Sequence, residues 1–195
     1  MVPELILTQG LSQSLTLSRV QDGKPAKWKT EVEIGRVGAS LMVRFTCTDE
    51  DIWSTMTERD LPLYDEEVVE VFLAPGDADP HEYFEFEVNP LGALWDGRIT
   101  SPNLNRDGME SHPEWDCPGL TWSAWMDEGQ QVWGGELLIP LNELCGPVIP
   151  DVWRINLYRI ERPQSGGTEY SAWSPTLVSP ADFHVPARFG RVRFV

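Results

Sequence analysis

An all-β antiparallel sandwich is the fold class this 195-residue sequence predicts. Short runs alternate apolar and polar residues with the two-residue period of a strand. Sixteen Gly and sixteen Pro punctuate those runs with turn signals. Helical periodicity is nearly absent. The length suits one domain, 1–195, long enough to bury a large core.

The elements follow in order. "EVEIGRVGASLMVRFTCTD" predicts two strands around Gly38-Ala39, with Val32, Ile34 and Val37, then Leu41, Val43, Phe45 and Cys47, on one face. "EEVVEVFLAP" is a third strand, ended by Pro75-Gly76. "HEYFEFEVNPLGALWDGRI" reads as a hairpin turning at Asn89-Pro90-Leu91-Gly92, and "LTWSAWMDEGQQVWGGELLIP" as another turning at Asp127-Glu128-Gly129. "DVWRINLYRIER" and "RFGRVRFV" supply two more strands. Single helical turns are expected in "PLNELCG" and "SPADFHVP", and a long loop from Ser101 to Gly119.

Composition narrows the partners. A formal net charge of −16 and no basic run argue against nucleic acid and against anionic membranes. The start lacks the basic and apolar regions of a leader, so the expectation is cytoplasmic, or extracellular if a leader precedes the chain. The three cysteines, Cys47, Cys117 and Cys145, form neither a metal pair nor a disulfide framework. Nine tryptophans exceed what a core of this size needs, so some are expected at a binding surface.

Alternation sorts "HEYFEFEVN" into a core face (Phe84, Phe86, Val88) and a polar face (Tyr83, Glu85, Glu87, Asn89). Glu70 stands alone among apolar residues in the preceding strand, where a carboxylate needs a hydrogen-bonding reason. Such a face is either a solvated outer surface or a site. Acids at Asp49 to Asp51, Asp60, Asp65 to Glu67, Asp77 and Asp79 offer hard oxygen ligands suited to Ca²⁺, though without EF-hand spacing. The scattered His81, His112 and His184 form no zinc motif, and no GxSxG elbow, P-loop or GxGxxG is present. Tyr64, Trp95 and Trp173 are flanked by turn formers or charge and are expected to be exposed; Trp28, Trp133 and Trp153 belong in the core. Flat rings plus fixed polar groups suit sugars, whose C–H faces stack and whose hydroxyls bond.

The ordered fragments "LMVRFTCTDEDI", "RDLPLYDEEVVEVFLAP", "YFEFEVNPLGALWD", "WGGELLIPLNEL", "WRINLYRIE", "YSAWSPT" and "FHVPARFGRVRF" together resemble the family 9 carbohydrate-binding modules. The resemblance runs from about Lys27 to the end and implies a two-sheet β-sandwich. In sugar-binding members two tryptophans sandwich a terminal ring; here Tyr64 stands at the first position and Trp173 at the second. Glu70 matches a strand glutamate that bonds hydroxyls. Glu87 and Asn89 stand where the family has an arginine and an asparagine, so the asparagine is kept and the cation is replaced by an acid. Structural Ca²⁺ is common in the family.

The function expected is non-catalytic binding of an oligo- or polysaccharide. Tyr64 and Trp173 would stack the ring, Glu70, Glu87 and Asn89 would bond hydroxyls, Trp95 and Asp96 would extend the rim, and Arg159 would orient a carboxylate or bond the ligand. The alternatives are an interaction domain that has lost sugar binding, and a glycoside hydrolase, which needs a carboxylate pair with one raised pKa in a deep cleft. A haem-binding relative would need a His and a Met reaching one cavity.

Overall fold

A computed structural model describes all 195 residues, Met1–Val195. The strands are β1 (Glu4–Leu7), β2 (Ser12–Thr16), β3 (Ser18–Arg19), β4 (Thr30–Val37), β5 (Ser40–Thr48), β6 (Val68–Pro75), β7 (Glu82–Val88), β8 (Leu94–Thr100), β9 (Glu110–His112), β10 (Thr121–Asp127), β11 (Val132–Pro140), β12 (Val152–Glu161), β13 (Glu169–Ala172) and β14 (Gly190–Phe194). One short helix, α1 (Leu141–Cys145), follows β11, and 3₁₀ turns cover Leu63–Asp65 and Pro186–Arg188.

The larger sheet runs β1-β14-β12-β6-β7-β8-β9, with β13 beside β12 and β3 beside β13; the smaller runs β10-β11-β5-β4-β2. All pairings are antiparallel except β1 with β14. The expected hairpins form: β4–β5 around Gly38, β7–β8 around Gly92, and β10–β11 after Asp127. Gly38 and Gly92 have φ of +61° and +82°, a conformation side chains resist.

Between the sheets, Val32, Ile34, Leu41, Val43, Phe45, Cys47, Trp133, Leu137 and Ile139 of the smaller sheet meet Val69, Val71, Leu73, Phe86, Val88, Trp153, Ile155 and Leu157 of the larger. Each such side chain contributes about 1.5–3 kcal/mol when buried. Val37, expected inward, is exposed, because two-residue alternation from Val32 and Ile34 puts it on the outer side. In "SPADFHVP" the expected turn comes late, as a 3₁₀ turn that starts at its last residue, Pro186.

The outer face of the larger sheet is also covered. Val68, Phe72, Tyr83, Tyr158, Ile160 and Ile99 pack against Phe183 and Phe189 of the C-terminal loop, a second apolar layer. Two buried polar side chains hold that loop. Arg154 donates to the carbonyls of Phe189 and Ala187, and Asn156 donates to Ser174 O while accepting from Ser174 N. Tyr158 Oη adds a bond to Phe183 O at 2.9 Å, and its ring stacks on Phe183 at 4.1 Å. The polar ladder on β7 is therefore roofed rather than solvated.

A roofed acidic cavity as the candidate functional site

Under that roof lies a cavity of about 370 Å³. Its floor is acidic. Glu70 on β6 pairs in register with Glu87 on β7, and Glu85 sits two residues along β7, on the same face. All three are buried, Glu70 at 2% exposure and Glu85 at 5%. Burial pushes Glu70 well above the usual carboxylate range, and the neighbouring Glu85 charge adds to it. Burial likewise lifts Glu85 to about 7, and lifts Glu87 strongly, with Glu70 and Glu85 contributing. Glu87's oxygens complete no hydrogen bond, although the Tyr64 backbone N–H is near enough to favour the carboxylate; once protonated, Glu87 can donate to Glu85.

The walls are aromatic and come from separate elements. Trp95 on β8 stands opposite Glu87. Its indole lies across Gly97, where a Cβ would come within 2.6 Å of Cη2, so "WDG" supplies the flat surface. Tyr64, in the 3₁₀ turn before β6, is 49% exposed at the mouth. Tyr170 on β13 stands opposite Ile160, and its ring meets Phe183 edge-on. At the rim Arg106 pairs with Asp182 at 2.8 Å, and Arg162 donates to Tyr64 O at 3.2 Å.

Tyr64, Glu70, Glu87 and Trp95 thus share one cavity, which Asn89, Arg159 and Trp173 do not line. Asn89 is wholly occupied in tying the β7–β8 turn. Its Nδ2 donates to Ser54 Oγ and Met56 O, both at 2.8 Å, and its Oδ1 accepts from Ala93 N. Arg159 projects through the opposite face of β12 between the sheets, because its neighbours Tyr158 and Ile160 take the cavity face. Trp173 N bonds Leu157 O, and the ring packs into the inter-sheet core over Gly190, where a Cβ would meet Cζ3 at 2.3 Å. Trp95, expected to be exposed, is buried, roofed by the same loops. Asp96 points away from Trp95's face and is held by Arg59 and by Cys117 N at 2.7 Å.

Glu85, Tyr170, Phe183 and the Arg106–Asp182 pair were not singled out as site residues in the sequence. Glu85 shares its strand parity with Glu87; the loop residues carry no local signal. Met109 and His184 also reach this cavity. Both contact the Tyr83 hydroxyl, at 3.9 Å from Sδ and 2.6 Å from Nδ1. Burial pushes His184 down to about 3, keeping it neutral.

Two other acidic groups converge enough to share an ion, their oxygens lying within 4.8 Å of one another. Asp60, Asp96 and Asp116 surround Arg59, which already bonds Asp96 and Asp116. Asp49, Glu67 and Glu161 are all buried, and Arg159 bonds Asp49 at 3.1 Å and Glu161. Both oxygens of Glu67 and one of Glu161 lack a partner. Burial is the first cause that raises Glu67 to about 10 and Glu161 to about 8.

No protein-family profile matches the sequence. A protein of Arthroderma benhamiae described as an extracellular protein is 28% identical over 189 residues, which span 90% of this chain and 82% of that one. Among solved structures, a candidate carbohydrate-binding protein from Bacteroides uniformis superposes with a TM-score of 0.78 at 16% identity, over 99% of each chain. A family 9 carbohydrate-binding module from Caldicellulosiruptor kristjanssonii in complex with cellotriose gives 0.66 at 11% identity, over 98% of this chain and 93% of that one. The same family in complex with glucose gives 0.64 at 11% identity, over 98% and 95%. The chain is a β-sandwich with the fold of the family 9 carbohydrate-binding modules.

Proposed function

We propose that this protein is a non-catalytic carbohydrate-binding domain whose site is the roofed cavity on the larger sheet. The carrying observation is the pairing of flat aromatic walls with a carboxyl floor in one concave space of about 370 Å³. Tyr64, Trp95 and Tyr170 supply surfaces for sugar C–H faces, and Glu70, Glu85 and Glu87 supply hydroxyl partners. The cellotriose and glucose complexes of structurally similar modules support an oligosaccharide as the ligand.

Tyr64→Ala is expected to weaken oligosaccharide binding at least tenfold, about 1.4 kcal/mol, with the melting temperature nearly unchanged because the ring is half exposed. Isothermal titration of both proteins against a panel of oligosaccharides checks this. Equal affinities would remove Tyr64 from the site.

A hydrolase reading rests on Glu85, whose pKa of about 7 beside two further carboxyls resembles an acid catalyst's. Reducing ends released from an oligosaccharide and lost in Glu85→Gln would favour it over binding alone.

The proposal includes a structural Ca²⁺ at Asp49, Glu67 and Glu161. The all-oxygen donors suit a hard cation. Three carboxylates against one guanidinium leave two negative charges, which a divalent ion balances, and Glu67 has two oxygens with no other partner. Calcium at one hundred times its Kd would add about 2.7 kcal/mol, raising the melting temperature by roughly 5–10 °C. Glu67→Gln should abolish that rise; a rise of equal size in this variant would place the ion elsewhere.

A further inference from the structure

The floor of the cavity carries three acids and no base. Its two arginines are at the rim, and Arg106 there is already paired with Asp182. No lysine lines the space. Glu70 takes no hydrogen bond from the protein, and Glu85 only the one Glu87 can donate when protonated. Glu87, wholly buried beside them on the same face, completes no hydrogen bond and has only the Tyr64 backbone N–H near it as a donor. Interiors seldom leave acceptors unpartnered, because an acceptor stripped of water without a donor is costly. A neutral sugar hydroxyl can satisfy one such oxygen. A substituent with three N–H donors and a positive charge satisfies several and also relieves the mutual repulsion of the acids.

The acids do not converge as Asp49, Glu67 and Glu161 or Asp60, Asp96 and Asp116 do; only those two clusters bring three oxygens within 4.8 Å of one another. That spread is wrong for a bare metal ion and right for a ring that presents a charged group to one acid pair and hydroxyls to the third. The walls agree, since Trp95, Tyr64 and Tyr170 offer π faces that attract cations as well as sugar C–H groups. The chain's net charge of −16 draws cationic ligands towards it.

From this we infer that the cavity selects a cationic amino sugar, a β-linked glucosamine unit whose protonated amine is bonded by Glu70 and Glu85 over the Glu87 carboxyl. The inference rests on the reading of this cavity as a carbohydrate site and names the ligand's chemical class.

Three trimers with the same β-1,4 backbone differ only at C2: cellotriose carries a hydroxyl, the N-acetylglucosamine trimer an acetamide, and the glucosamine trimer an amine. At pH about 6 that amine is mostly charged, although the electron-withdrawing ring oxygens hold it below the α-amino value of about 8. Isothermal titration at about 0.15 M salt, which screens the diffuse surface field, should show the glucosamine trimer binding at least tenfold tighter than the other two. Glu70→Gln with Glu85→Gln keeps the shape of both side chains and should remove that advantage while the melting curve shows a folded protein.

Cellotriose binding as tightly as the amine would overturn the inference and leave the carbohydrate reading standing. An amine preference that survives the double substitution would also overturn it, by assigning the preference to surface charge. No binding of any of the three would overturn the inference, and no binding across the wider oligosaccharide panel would overturn both.

Discussion

Arg159→Met is expected to cost about 3–5 kcal/mol, the penalty for stranding buried charges by removing their partner. Arg159 is 1% exposed and lies between the sheets, over Trp133. It donates to Thr48 O at 2.9 Å, to Asp49 Oδ2 at 3.1 Å and to Glu161. Its charge also holds down the proton affinity of Glu67 and Glu161, which burial drives up. Methionine refills the apolar stem and leaves Asp49, Glu67 and Glu161 with no cation. Chemical denaturation without Ca²⁺ should show the loss, with a fall in melting temperature of roughly 6–20 °C. The loss should be smaller at pH 5 than at pH 8, because the stranded acids can take up protons. Adding Glu161→Gln to the variant should recover part of it. A loss below about 1 kcal/mol would mean that the cluster is hydrated and the pairing weak. Sugar affinity in the fraction that stays folded should be unchanged, since Arg159 lies on the far side of the sheet from the cavity.

The contrast between Arg159 and Glu70 shows what strand parity reveals and where it stops. Tyr158 pairs with Glu70 across β12 and β6, so Arg159, one residue on, must face the other way. The same rule puts Tyr170 on the cavity side of β13 and turns Trp173, three residues later, towards the inner core. Alternation therefore held the information that separates these residues, once the register between strands was known. The register is a long-range property, and no local pattern in "YSAWSPT" states it. Asn89 is legible in another sense: an Asn before Pro-Leu-Gly is a turn residue, and its side chain serves the turn. The roof is different. Phe183 and His184 come to the β7 face because Arg154, Asn156 and Tyr158 capture their loop through backbone carbonyls, a match between distant segments. Alternation could sort Glu85 and Glu87 onto one face; whether that face met water or a cavity depended on this loop.

The same burial makes stability depend on pH in an unusual direction. Stability without ligand or Ca²⁺ is expected to be greatest near pH 5 and to fall by on the order of 2–5 kcal/mol towards pH 8. Carboxyls with raised folded pKa bind more protons in the folded state than in the unfolded one. Their stabilisation is complete below the unfolded value of 4.5 and is lost as pH rises through the folded values: about 7 for Glu85, about 8 for Glu161 and about 10 for Glu67. Glu70 and Glu87, raised well above 4.5, act in the same sense. Three groups oppose them on the acid side, among them the exposed Asp77, lowered by its bond from Arg191. His184, lowered from 6.5 to about 3, favours the folded state more as pH rises through that interval. Glu66, lowered by bonds from Ser54 and Thr55 that outweigh its burial, loses stabilisation as pH falls below 4.5. Their combined pull places the optimum just above the ordinary carboxylate range, because the raised acids, Asp96 at about 6 included, dominate above it. Melting curves from pH 4 to 9 test the sign directly, and Glu85→Gln should flatten the descending limb between about pH 5 and 7. Ca²⁺ should flatten it too, since an ion on Glu67 and Glu161 replaces the protons those acids would otherwise hold. A melting temperature that stays level or climbs from pH 5 to 8 would mean these acids remain ionised and hydrated in the folded protein. The acidic floor would then be open to water, and its oxygens would no longer lack partners.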